Sequence, residues 1–228
     1  MIPPVVRELE VFPDADAVAR RGADVVAAAA RDAVDVRGRF TFAVSGGRTP
    51  WAMLDILVGE ELPWGSVEIW QVDERVAPDG DADRNLTGLE PLVPQDATLH
   101  PMPVTDPQLD TAAERYAASL PDVFDLVHLG MGDDGHTASL VPGEPVLDAL
   151  DREIAVTGEY RGRRRMTLTY PVLARARLVL WLISGADKAE MLPRLLAGDR
   201  SIPAGRVEGP RQLVVADGAA ASRTPQIG

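Results

Sequence analysis

The chain has 228 residues and no cysteine. That absence excludes disulfide scaffolds, zinc–cysteine centres, iron–sulfur clusters and thiol catalysis. Histidine is scarce too: His100, His128 and His136 are the whole supply, which is little material for a metal site. Lysine is nearly missing, since Lys188 stands alone among 23 basic residues. Positive charge is outnumbered by 35 acidic residues, giving a net charge of −12 and a pI of about 4.7. A general nucleic-acid or anionic-membrane surface is therefore not expected. An anionic small substrate would need a local cluster of cations. No apolar run approaches the roughly 20 residues of a membrane span. The opening Met1-Ile-Pro-Pro-Val-Val-Arg7 lacks the basic-then-apolar order of a signal peptide, so a cytoplasmic location is expected.

What is present describes an ordinary globular chain, 46% hydrophobic and 25% charged. No internal repeat or long linker divides it, and one domain over residues 1–228 is expected. Short runs, apolar at nearly every position, read as buried strands at 39–44 (RFTFAV), 67–72 (VEIWQV), 124–129 (FDLVHL), 177–183 (RLVLWLI) and 212–216 (QLVVA). Weaker candidates are 154–157 and 166–169. Helical periodicity occupies 23–33, with Asp14 or Asp16 as cap, then 49–58, 105–120 and 186–196. The tail 222–228 is expected to fray. Strands alternating with helices predict a three-layer α/β/α fold with a mainly parallel, modified Rossmann-like sheet. Ligands in such folds sit beyond the carboxyl ends of the strands, so the loops that follow strands carry the chemistry.

The first loop is Ser45-Gly46-Gly47-Arg48-Thr49-Pro50. Its glycines allow close backbone approach, and the next helix offers free amides to an anion. A tight turn with a Ser or Thr cap fits the loop equally well. The second is Asp73-Glu74-Arg75. Arg75 could grip a carbonyl or phosphate oxygen with its planar fork, and Asp73 could orient it; a solvated ion pair at a strand end is the alternative. An Asp-, Gly- and Pro-rich stretch follows, up to Arg84-Asn85. The third is Gly130-Met131-Gly132-Asp133-Asp134-Gly135-His136-Thr137-Ala138-Ser139-Leu140. A carboxylate beside an imidazole fixes its tautomer and makes a general base; His136 with Asp134 is that pair. His128, inside a strand, reads as a core histidine. His100 has no polar company in the sequence. Arg163-Arg164-Arg165 precedes a strand-like segment, and Lys188 is expected in the first turn of a helix, where a cation opposes the dipole.

Together these pieces resemble the 6-phosphogluconolactonase family over Ser45 to about Asp217. The resemblance rests on the three loops, with Arg165-Met-Thr-Leu-Thr, Gly185-Ala-Asp-Lys188 and Ile202-Pro-Ala-Gly-Arg-Val in support. The related glucosamine-6-phosphate deaminases usually carry Asp-Glu-Tyr at the second loop, and Ala-Phe-Asn where Thr137-Ala138-Ser139 stands here. The chain departs from the lactonases at Arg84, where Ser is frequent, and at Val141, where Phe is frequent. The resemblance implies hydrolysis of 6-phospho-D-glucono-1,5-lactone in the oxidative pentose phosphate pathway, without cofactor or metal. It also implies His136 as base, Arg75 at the developing oxyanion, and phosphate at Ser45, Gly46, Gly47, Arg48 and Thr49 with Arg165 and Lys188. The expected partner is the sugar-phosphate lactone alone, on a monomer. A deaminase/isomerase and a non-catalytic sugar-phosphate-sensing module remain as other readings.

Overall fold

The structure is a computed structural model that describes residues 7–225. The opening segment 1–6 and the end of the tail, 226–228, lie outside the described residues. The strands are β1 (Arg7–Phe12), β2 (Phe40–Val44), β3 (Val67–Gln71), β4 (Asp73–Arg75), β5 (Thr98–His100), β6 (Leu126–Leu129), β7 (Ile154–Val156), β8 (Arg165–Leu168), β9 (Leu178–Ile183) and β10 (Gln212–Asp217). The α-helices are α1 (Ala15–Arg37), α2 (Arg48–Val58), α3 (Asn85–Leu89), α4 (Leu109–Ser119), α5 (Tyr170–Ala174) and α6 (Met191–Leu196).

Seven strands form one parallel sheet in the order β1-β10-β9-β6-β2-β3-β5. Every residue of β2, β6, β9 and β10 is buried, as unbroken apolar runs require in a sheet covered on both faces. One face packs on α1 and α2 through Val26, Phe40, Met53 and Leu180. The other packs on α4, α5 and α6 through Trp70, Tyr116, Trp181 and Leu192. Three layers result, as the alternating sequence pattern predicts. Helix α1 starts at Asp14, whose carboxylate accepts the Ala17 amide at 2.8 Å, and stops at Gly38 in the left-handed region.

The strand order positions the site. From β2 the chain runs outward to β3 and β5. It then returns to β6 on the other side of β2 and continues to β9 and β10. Connections thus leave β2 and β6 in opposite directions, and a crevice opens beyond their carboxyl ends. The first and third loops emerge there.

Several expectations need correction. Residues 73–75 are not a loop but strand β4, paired antiparallel with β8, which pairs with β7 in a separate three-stranded sheet. The weaker strand candidates therefore exist but lie outside the central sheet. The expected helix 186–196 splits into a 3-10 turn, Ala186–Lys188, and α6. Lys188 ends that short turn instead of starting an α-helix, so no macrodipole opposes it. Its ammonium lies 2.8 Å from Asp187 Oδ2. His100 does have polar company: Nε2 is 3.2 Å from Glu68 Oε2, and the ring stacks on Trp70 at 3.7 Å. In the tail, Ala220–Arg223 form a 3-10 turn.

Candidate active site

Ser45 follows β2 directly and is tied to the neighbouring strand β6. Its hydroxyl donates to the His128 carbonyl at 3.2 Å, and its amide to His128 Nδ1 at 3.4 Å. His128 is fully buried, and burial pushes its imidazole down to about 3. It is thus the neutral core histidine expected from its place in a strand. Gly47, with φ of +141°, turns the chain into α2. The first-turn amides of Arg48 and Thr49 then have no carbonyl partner inside the helix. Gly46 is required for another reason: a Cβ there would overlap the Asn85 side chain.

The loop after β6 folds back on itself. The Gly132 amide donates to the His136 carbonyl at 2.8 Å. Asp134 Oδ1 accepts the His136 amide at 3.0 Å and lies 2.6 Å from His136 Nδ1. Burial pushes the Asp134 carboxyl up, but the amide and ring of His136 and the Tyr160 hydroxyl together hold it below the usual carboxylate range. An ionised carboxylate only accepts hydrogen bonds. In the neutral imidazole Nδ1 of His136 therefore carries the proton, and the lone pair lies on Nε2.

The second loop's triplet is arranged by residues far away in the chain. Asp73 Oδ2 accepts from Ser139 Oγ at 2.6 Å. The Asp73 carbonyl accepts from Asn85 Nδ2 at 2.8 Å, and Asn85 Oδ1 accepts from Arg75 Nη1. Asp73 is linked to Arg75 through Asn85. Glu74 turns away from the crevice and is fully buried. It accepts the amides of Arg75 and Asn85, each at 2.7 Å, that of Leu86 at 2.8 Å, and Gln71 Nε2 at 2.9 Å. Arg84 is 96% buried by its 4% exposure and pairs with Glu74 at 3.5 Å and with Asp79.

Arg165 on β8 faces Arg75 across the ladder. Like charges directly opposite repel. Arg165 is only 7% exposed, and its Nε has no hydrogen-bond partner among the described residues. Burial lowers its guanidinium from the ordinary value. Such a pair suits a bound anion.

These groups share one cavity of about 480 Å³. Its lining includes Ser45, Gly46, Gly47, Arg48, Asp73, Arg75, His136, Arg165 and Lys188. Of the sequence-derived residues, Thr49 is not on that lining, and Asp134 stands behind His136. A second lobe of about 430 Å³ adjoins it, sharing Gly47, Arg48, Arg75, Asn85, Arg161 and Arg165 and adding Trp51 and Arg163 among others. Asn85, Ser139, Tyr160 and Arg161 were missed from sequence. In the sequence Asn85 stands beside Arg84 and Ser139 lies within the third loop, but neither carries an assigned role there, and nothing marks Tyr160 or Arg161. Among the described residues, no three His, Asp or Glu side chains gather where one metal ion could touch them. The arrangement offers a base held by a carboxylate, facing Arg75, Arg165, Arg48 and Lys188. It can activate water beside an anion anchored at a fixed distance.

Comparison with known proteins adds an independent line. Residues 13–215 match the family described as glucosamine-6-phosphate isomerases/6-phosphogluconolactonase. A 6-phosphogluconolactonase of Nostoc sp. is 34% identical over 206 residues, covering 84% of this chain and 85% of that protein. One from Synechocystis sp. is 38% identical over 182 residues, covering 72% and 75%. The crystal structure of 6-phosphogluconolactonase from Thermotoga maritima superposes with a TM-score of 0.83 over 92% of this chain and 99% of that one. Its 24% identity speaks to the fold alone.

Proposed function

The chain belongs to the 6-phosphogluconolactonase family, and on that premise we propose that it hydrolyses 6-phospho-D-glucono-1,5-lactone to 6-phospho-D-gluconate with His136 as the base. The observation that carries this reading is the shared cavity, in which His136 faces the guanidiniums of Arg75 and Arg165.

His136 Nε2 takes a proton from water as the oxygen attacks the lactone carbonyl carbon. Charge grows on the carbonyl oxygen, and Arg75 offsets it. The tetrahedral intermediate collapses with cleavage of the bond to the ring oxygen. His136 returns its proton to that leaving oxygen, which becomes a hydroxyl, and the acyl carbon is left as a carboxylic acid that releases its proton to solvent and becomes the carboxylate. Asp134 stabilises the transient imidazolium. The phosphate sits against Gly46, Gly47 and the first turn of α2, with Arg48, Arg165 and Lys188 supplying charge. Anchoring the distal end holds the carbonyl beside the base. Acid–base assistance of this kind contributes about 100- to 10,000-fold.

The test supplies freshly generated phosphorylated lactone and follows the product with a coupling dehydrogenase against the spontaneous background. His136→Ala should lower kcat by about two to four orders of magnitude with the fold intact by circular dichroism. Arg165→Ala should mainly raise KM, by about 10-fold or more. Wild-type turnover no faster than background would refute the reading. Ammonia release from glucosamine 6-phosphate would replace it with the deaminase reading, and tight sugar-phosphate binding without turnover with the sensing module.

A further inference from the structure

Asp134 has one contact that the reaction scheme leaves unused. Between β7 and β8 the chain reverses at Arg161 and Gly162, with φ of +53° and +78°. The reversal is closed by two backbone hydrogen bonds between Tyr160 and Arg163, at 3.0 and 3.3 Å. Two successive left-handed residues make a tight hairpin turn, and Arg161 adopts one without glycine's freedom. The turn lays Tyr160 against the catalytic loop. Its ring meets the His136 imidazole edge to face, with centroids 5.5 Å apart, and its hydroxyl donates to Asp134 Oδ2 at 3.2 Å. The guanidiniums of Arg161 and Arg165 lie 5.1 and 5.2 Å from the ring centroid. Arg161 also pairs with Asp133, next to Asp134, at 3.5 Å.

We propose that Tyr160 is a positioning residue for the base, its hydroxyl fixing Asp134 so that Nε2 of His136 is presented to the cavity. The proposal rests on the reading of His136 as the base. Asp134 needs such a partner because its side chain is 36% exposed, so water competes for Oδ2. With Oδ2 bound by Tyr160, Oδ1 stays on the amide and Nδ1 of His136. The hydroxyl also takes up part of the carboxylate's charge. That weakens the hold of Asp134 on the imidazolium and eases return of the proton to the leaving oxygen. The other charges facing the pair are Asp133 with Arg161, Arg165 beside the tyrosine ring, and Arg75, Asp73, Arg48 and Lys188 around the cavity. None of them is altered by Tyr160→Phe, which keeps the ring on which the guanidiniums stack.

The experiment compares wild type, Tyr160→Phe and His136→Ala. It records kcat and KM across pH, and the ring-nitrogen NMR resonances of His136 over the same range. Tyr160→Phe should lose about 10-fold in kcat with KM unchanged. Its acid limb should move up in step with the His136 resonances, because the unshared carboxylate favours the imidazolium more strongly. An unchanged resonance titration in Tyr160→Phe would overturn the proposal, whatever happens to the rate. If wild type does not hydrolyse the lactone, or His136→Ala keeps the rate, the functional reading fails instead. The resonances still decide whether Tyr160 controls the Asp134–His136 pair.

Discussion

A methyl group on Gly132 would overlap the His136 imidazole and crowd Asp134 Oδ1. Gly132 is not among the left-handed glycines, so alanine there meets only a steric objection. Gly132→Ala should therefore leave the backbone fold unchanged but push the imidazole off its carboxylate. A kcat drop of about 100-fold, with a melting temperature within a few degrees of wild type, is the expected result of paired kinetics and thermal denaturation. At this scale the sequence was informative where chemistry and spacing coincide. His136 and Asp134 lie two residues apart in one loop, and local chain geometry alone brings them together. Tyr160 and Asn85 reach the site from 24 and 51 residues away in the chain, so no local pattern could mark them.

Elements show a different limit. Strands β2, β3, β6, β9 and β10 were legible because burial on both faces demands apolar residues throughout. Strand β1 was not. It lies at the edge of the sheet, its exposed and half-buried residues intermixed, and Arg-Glu-Leu-Glu-Val-Phe does not read as a core run. Strand β4 was hidden for the opposite reason, since Asp73 and Glu74 are charged yet buried. Their partners, Ser139, Asn85 and Leu86, belong to other segments. Glu74 illustrates what such a carboxylate does. Helix α3 has no side-chain cap of its own, and Glu74 caps it from β4 by accepting the Asn85 and Leu86 amides. The same carboxylate holds the Arg75 amide, so one side chain sets the relative placement of α3 and β4. Glu74→Gln would point an NH2 group at a neighbour that also donates. It should cost about 2–4 kcal/mol of unfolding free energy, measurable by urea denaturation. The accompanying kinetic signature is poorer kcat through Arg75, restored by no added ligand.

For the whole molecule, the buried imidazole of His128 ties stability to pH. Its folded value of about 3 lies well below that of an unfolded histidine, near 6.5. Between those limits the unfolded chain binds a proton that the folded chain refuses, so stability rises with pH. It falls by up to about 1.4 kcal/mol per unit as pH drops below 6.5. His128→Asn removes this titration while keeping an oxygen able to accept the Ser45 amide. Urea midpoints at pH 6.5, 5.5 and 4.5 should fall less steeply in the variant than in wild type. Equal slopes would show that the imidazole takes up its proton without unfolding the chain.

The cationic cavity sits in a molecule whose net charge is −12, and this governs how an anion arrives. Far from the surface a phosphorylated sugar is repelled, and attraction begins only at the mouth of the crevice. At physiological ionic strength the screening length is about 8 Å, short enough to hide the general surface while the cavity's own guanidiniums still act on an entering ligand. Added salt should therefore speed the approach before it weakens the grip. Capture rate should climb and then fall with ionic strength, where an ordinary pair of opposite charges would show only the decline.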